Sequence, residues 1–247
     1  ASNTLWTATK TWGYYAQEQV SLRDRLFLTG AVRADENSAF GTNFGRVVYP
    51  KLSLSWLVSD ESFFPKLGFL DQLRFRSAYG ASGVQPGATS ALVIFSSTTV
   101  NQPQVAVTPT GTDTPGLRAS ALGNPDLKPE LSAEFEGGFE ARLFSNRANV
   151  DITYYSKQTR DALITQNIAP SAGPASTTVL RNLGSVKNAG IEATIHATLL
   201  DTRRLGWDVM LSGSHTSNKL VSLGRDATGA LNKTIGTGTL RDSVGLP

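Results

Sequence analysis

Residues 130–144, ELSAEFEGGFEARLF, alternate in chemical character at every step. Leu131, Ala133, Phe135, Gly137, Phe139, Ala141 and Leu143 hold the odd positions. Glu130, Ser132, Glu134, Glu136, Gly138, Glu140 and Arg142 hold the even ones. Successive side chains of a strand point to opposite faces, so this stretch predicts a long strand with one apolar face and one ionised face.

The same period returns along the chain. It marks strands at 13–22 and 26–35, on either side of Arg23-Asp24-Arg25, then at 49–58, 72–83, 148–157, 188–200 and 207–223. One strand fits poorly: Glu18 shares a face with Ala16, Val20 and Leu22, which calls for a bulge or a place near lipid headgroups. Short connections (23–25, 59–70, 145–147, 201–206) alternate with long polar ones (36–47, 84–129, 166–187, and from 224 on). Within 59–70, SDESFF predicts one helical turn capped by Ser59 or Asp60. About eight strands in pairs make an antiparallel up-and-down meander. Long loops gathered at one end are the habit of a transmembrane β-barrel, with short turns on the periplasmic side. Phe27, Trp56, Phe75, Phe144 and Trp207 all lie beside short connections, as an interfacial aromatic girdle requires. On that basis Phe135, Phe139 and Leu143 face lipid, while Glu134, Glu136, Glu140 and Arg142 face a wet interior.

Composition narrows the picture further. The 247 residues have 40% hydrophobic content and a mean hydropathy of −0.15. No apolar run approaches the roughly 20 residues of a spanning helix, which leaves barrels untouched. A net charge of +3 without a basic stripe gives no case for nucleic acid. Cysteine is absent, removing disulfides and thiolate metal sites. The start, ASNTLWTATK, lacks the basic and apolar regions of a signal peptide.

Candidate chemistry is sparse. His196 and His215 lie on different strands and do not make a metal site by themselves. Glu134 and Glu136 suit a lumen wall better than an acid/base pair. Arg74 and Arg76 are expected to face the same lumen and to pair with acids there. DENSAFGTN (35–43) reads as a solvated loop before a Ca²⁺ loop. GTGTL (236–240) is a weak glycine-rich match. No metalloprotease, Walker or nucleophile-elbow motif occurs. The expectation is a non-enzyme with no catalytic residue, metal or cofactor. Its ligand contacts lie in the loops 84–129 and 166–187, without individual residues assigned.

GNPDLKPE (123–130) resembles the NPxLKPE signature of TonB-dependent outer-membrane receptors, which leads from a loop into a barrel strand. Pro125 and Pro129 are expected to hold that approach extended. Residues 32–64, with Arg33-x-Asp35, Ser38-x-Phe40-Gly41 and Tyr49-Pro50, resemble the SusC/RagA branch. LDQLRFRSAYGASG (70–83) resembles the following strand. NLGSVKNAGIEATI (182–195) resembles that branch's Asn-x-Gly-x-x-x-Asn-x-Gly-x-Glu segment, where Gly190 is expected to open a strand. The resemblance implies a barrel of about 22 strands around a plug. Residues 1–247 would then be an internal part of that barrel, without the plug. It also implies active uptake of a glycan or peptide across a bacterial outer membrane. The implied partners are the TonB complex, a SusD-like lipoprotein and outer-membrane lipid. Two other architectures remain open at this point: a self-contained small outer-membrane barrel for adhesion or anchoring, and a soluble carbohydrate-binding β-sandwich, whose strands would run nearer 5–6 residues.

Overall fold

A computed structural model of the chain describes residues 8–100, 114–168, 178–225, 229–235 and 242–246. The strands are β1 (Thr11–Leu22), β2 (Leu26–Asn37), β3 (Val47–Leu57), β4 (Leu70–Val84), β5 (Ile94–Val100), β6 (Thr114–Ala121), β7 (Glu130–Leu143), β8 (Ala148–Asn167), β9 (Thr178–Asp201), β10 (Gly206–Ser222), β11 (Thr234–Ile235) and β12 (Asp242–Ser243). Eight of them form one sheet in the order β1-β2-β3-β4-β7-β8-β9-β10. Every neighbouring pair is antiparallel, so the meander holds. The fold is all-β.

Register assigns the faces. Glu140 lies between Arg74 and Asp151, and Gly138 between Arg76 and Thr153. One residue along, Phe139 lies between Phe75 and Ile152, and Phe135 between Tyr79 and Ser156. The Phe75 and Phe139 rings meet edge-on at 6.4 Å. Among the described residues no second layer covers either face of this sheet. Phe135, Ile191 and Leu211 stay 45%, 47% and 64% exposed. A long apolar sheet face without a cover is not stable in water. Strands of 11 to 24 residues in a single layer also exclude the β-sandwich.

The strongest packing lies where the long connections meet. Asn124–Leu127 is a tight turn: the Leu127 N–H donates to the Asn124 carbonyl at 3.2 Å, and the Asp126 N–H to Asn124 Oδ1 at 3.0 Å. Pro125 occupies the second turn position, where its fixed φ is favourable. Leu127, at 0% exposure, is the one large side chain fully buried among the described residues. The Gly41 N–H donates to the Leu127 carbonyl at 2.8 Å, and Asn43 Nδ2 to Asp126 Oδ1 at 2.7 Å. Asn182 closes the other side, accepting from the Lys128 N–H at 2.9 Å and donating to the Lys128 carbonyl at 2.8 Å. A Cβ on Gly41 would lie 2.1 Å from the Pro125 carbonyl oxygen, so only glycine fits. Three segments far apart in sequence, 38–43, 124–130 and 180–184, are thereby tied into one knot.

Several expectations need correction. Pro125 bends the approach to β7 instead of holding it extended, because the Asn124 side chain closes a turn over it. The helical turn is a 3₁₀ turn at Val58–Asp60 with Leu57 before it and no side-chain cap. Glu18 pairs in register with Gly30, with no bulge between β1 and β2. Phe27 pairs with Ser55, itself opposite Arg76, so it lies on the polar face and leaves the girdle. Gly190 lies inside β9, not at its start. The loops expected at 84–129 and 166–187 contain strand: the β5–β6 hairpin in the first, the far ends of β8 and β9 in the second. A bulge between Thr159 and Ala162, with Asp161 at φ 55°, breaks the alternation that would have revealed β8. Residues 101–113, 169–177 and 236–240, the last including GTGTL, lie outside the described residues.

Candidate functional site

The polar face of β4, β7 and β8 carries an ion-pair network built by cross-strand register. Arg74 Nη2 lies 2.7 Å from Glu140 Oε2, and Arg76 Nε lies 3.5 Å from Glu140 Oε1. Arg76 Nη2 also binds Asp151 and donates to Thr153 Oγ1 at 2.6 Å. Lys157 Nζ is 3.9 Å from Glu134. The expectation that Arg74 and Arg76 share a face with acidic partners is met on neighbouring strands. These side chains are between a third and a half exposed. Each pair therefore contributes about 1 kcal/mol or less. What the network fixes is a charge pattern. Beside it Arg76, Glu134, Glu136, Asp151, Tyr155 and Glu192 line a recess of about 420 Å³. Glu136 and Glu192 have no ion-pair partner among the described residues.

Tyr155 lies across β9 at Gly190, and its hydroxyl is 3.0 Å from Thr216 Oγ1. A Cβ on Gly190 would sit 2.6 Å from the Tyr155 hydroxyl and 2.6 Å from the His215 carbonyl oxygen. Gly190→Val is therefore expected to expel Tyr155 and to destabilise the sheet by about 1–3 kcal/mol. Urea unfolding of the receptor in detergent measures this, and an unchanged midpoint would mean the close packing is not real.

The other candidates separate. His196 Nε2 lies 3.9 Å from Asp208 on the polar face, whereas His215 pairs with Ile191 on the apolar one. The two histidines thus cannot share a ligand. In 35–43 the acidic and amide side chains already have protein partners. Asp35 holds Arg33, Glu36 holds Arg46, Asn37 holds Thr11 and Gln85, and Asn43 holds Asp126. Among the described residues no three potential metal ligands come together. The wall presents carboxylate, guanidinium and phenol groups side by side, the chemistry that suits contact with a polar molecule. At the short-connection end, Trp56 Nε1 donates to Glu61 at 3.2 Å, and the Trp56 and Phe63 rings stand 6.1 Å apart. Phe69 and Phe144 stand 6.4 Å apart nearby in the chain order of that end. Phe63 and Phe69 are exposed aromatics beside Trp56 and Phe144 that strand pattern alone misses, because they sit in a connector.

A family model described as "TonB dependent receptor-like, beta-barrel" matches residues 2–241. TonB-dependent receptor P26 of Formosa agariphila is 28% identical over 214 residues, covering 85% of this chain and 20% of that protein. TonB-dependent receptor SusC of Bacteroides thetaiotaomicron is 25% identical over 210 residues, covering 85% of this chain and 21% of that protein. The chain thus spans about one fifth of the length of these relatives. Among solved structures, the RagAB peptide importer in its "open-open" state superposes with a TM-score of 0.80 at 21% identity, over 97% of this chain and 25% of that one. The siderophore receptor PirA from Pseudomonas aeruginosa gives 0.52 at 17% identity, over 86% and 37%. At these identities the structural likeness speaks for the fold.

Proposed function

We propose that this chain, which belongs to the TonB dependent receptor-like, β-barrel family, forms one section of the wall of a plugged barrel that imports a nutrient with energy delivered through TonB. Family membership places it in the bacterial outer membrane. The observation that carries the reading is a single-layer sheet with one apolar face left open and one ionised face. Lipid covers the first and an aqueous lumen borders the second. Residues 1–247 supply barrel; the plug and further strands complete it. A SusD-like lipoprotein at the long-loop end and a glycan or peptide cargo are the finer parts of the proposal. SusC and the RagAB peptide importer among the similar proteins support them. A self-contained small barrel is the weaker reading, since β1 and β10 do not pair with each other.

Uptake tests it. Cells lacking the gene for this chain, and cells lacking TonB, are given labelled oligosaccharide and oligopeptide mixtures. Both deletions are expected to abolish accumulation of the same cargo class. Undiminished uptake of every cargo in either strain would refute the assignment.

A further inference from the structure

Toward the long-loop ends of β1, β2 and β3 the polar face holds a second recess of about 350 Å³, adjoining one whose lining Lys51 shares with Glu134 and Glu136. Tyr15, Arg33, Asp35, Tyr49, Lys51 and Gln85 line the second recess. Asp35 is nearly inaccessible, with a side chain 7% exposed, while the Arg33 side chain is 57% exposed. Arg33 grips Asp35 through Nε alone, at 2.8 and 3.0 Å to the two carboxylate oxygens. That leaves both Nη groups, with their four N–H donors, for another acceptor. A Cβ on Gly13, the residue paired with Asp35, would lie 2.7 Å from Asp35 Oδ1. The bare glycine therefore lets Asp35 sit beneath the arginine and fix its plane. Tyr15 is the cross-strand partner of Arg33 and is 62% exposed. Lys51 has no ion-pair partner among the described residues.

We propose that this recess binds a carboxylate of the imported molecule; the proposal rests on the uptake reading above. Arg33, Lys51 and Asp35 sum to one excess positive charge, which matches one carboxylate and leaves a phosphate dianion half compensated. The free Nη pair of Arg33 meets the two oxygens of a planar anion side by side. Lys51 adds a mobile point charge, and the Tyr15 ring flanks the residue that carries the anion. Asp35 is a positioning residue: it touches Arg33, not the ligand. A peptide C-terminus and a uronic acid offer the same group.

The test is calorimetric titration of the complete receptor in detergent with triglycine, triglycine amide, trigalacturonate and its methyl ester. At least one acid is expected to bind about tenfold or more tightly than its neutral counterpart, the effect of a charge-assisted hydrogen bond. Which acid does so identifies the source. Lys51→Gln leaves the Arg33–Asp35 pair intact and is expected to shrink the preference, and the Arg33→Gln/Lys51→Gln double variant to erase it. Equal affinity for acid and neutral forms, no binding of either acid, or a preference that survives in the double variant would overturn the proposal. TonB-dependent uptake can persist in each of those cases, so the two failures are distinguishable.

Discussion

Leu127→Ala is expected to cost the folded barrel about 3–4 kcal/mol, near the middle of the range for truncating a fully buried leucine. Leu127 has no accessible surface, and the main chain around it has nowhere to go. Its carbonyl accepts from the Gly41 N–H, its own N–H is committed to Asn124, and Asn182 holds the Lys128 peptide next to it. A cavity made there cannot collapse without breaking the knot that joins β2, β7 and β9. Thermal loss of strand circular dichroism in detergent measures the effect. Leu127→Met, nearly the same volume, serves as the control at a cost below about 1.5 kcal/mol. If alanine and methionine behave alike, the knot is not a source of stability.

The second large effect separates adjacent residues. Phe135→Arg is expected to destabilise the inserted barrel by about 2–4 kcal/mol, the cost of a cation on a lipid-facing strand position near mid-depth. Glu136→Arg, one residue away, is expected to change stability by about 0.5 kcal/mol or less, as an exposed polar position does. Register puts Phe135 beside Tyr79, and Glu136 beside Ala78 and Tyr155. Chemical unfolding from lipid vesicles reads both variants. A reversal of the two costs would mean that the faces have been assigned the wrong way round.

These contrasts show what the amino-acid order could and could not reveal. Strands with lipid on one side and water on the other write their period plainly; Glu130–Leu143 is legible almost to the residue. In the outer parts of β8 and β9 burial comes from other segments, with Thr159 and Val179 covered and Asn182 committed to Lys128, so no two-faced alternation is demanded and those segments resemble loops. The bulge at Thr159–Ala162 removed what alternation remained. The motifs in 38–41, 124–130 and 182–190 were visible one at a time. Their convergence depends on hydrogen bonds spanning 54 and 83 positions, which no local pattern encodes. The wall residues Arg74, Arg76 and Glu140 could be assigned to a face, yet the pairing of Arg76 with Asp151 two strands away needed the sheet order. The Arg33–Asp35 recess had a legible trace, an arginine and an acid two apart on one strand. The glycine that accommodates them comes from β1 and carries no such mark.

The length of the β8–β9 ladder has a mechanical outcome. β9 runs 24 residues and β8 runs 20, while a strand crosses the hydrocarbon in about 9–11. At about 3.3 Å per residue β9 reaches roughly 80 Å, so much of the hairpin stands above the bilayer as a stiff parapet. Under the proposed import function, cargo would meet this rim before it reaches the ionised wall of β4, β7 and β8. Exclusion by girth can then precede any chemical discrimination deeper in the channel.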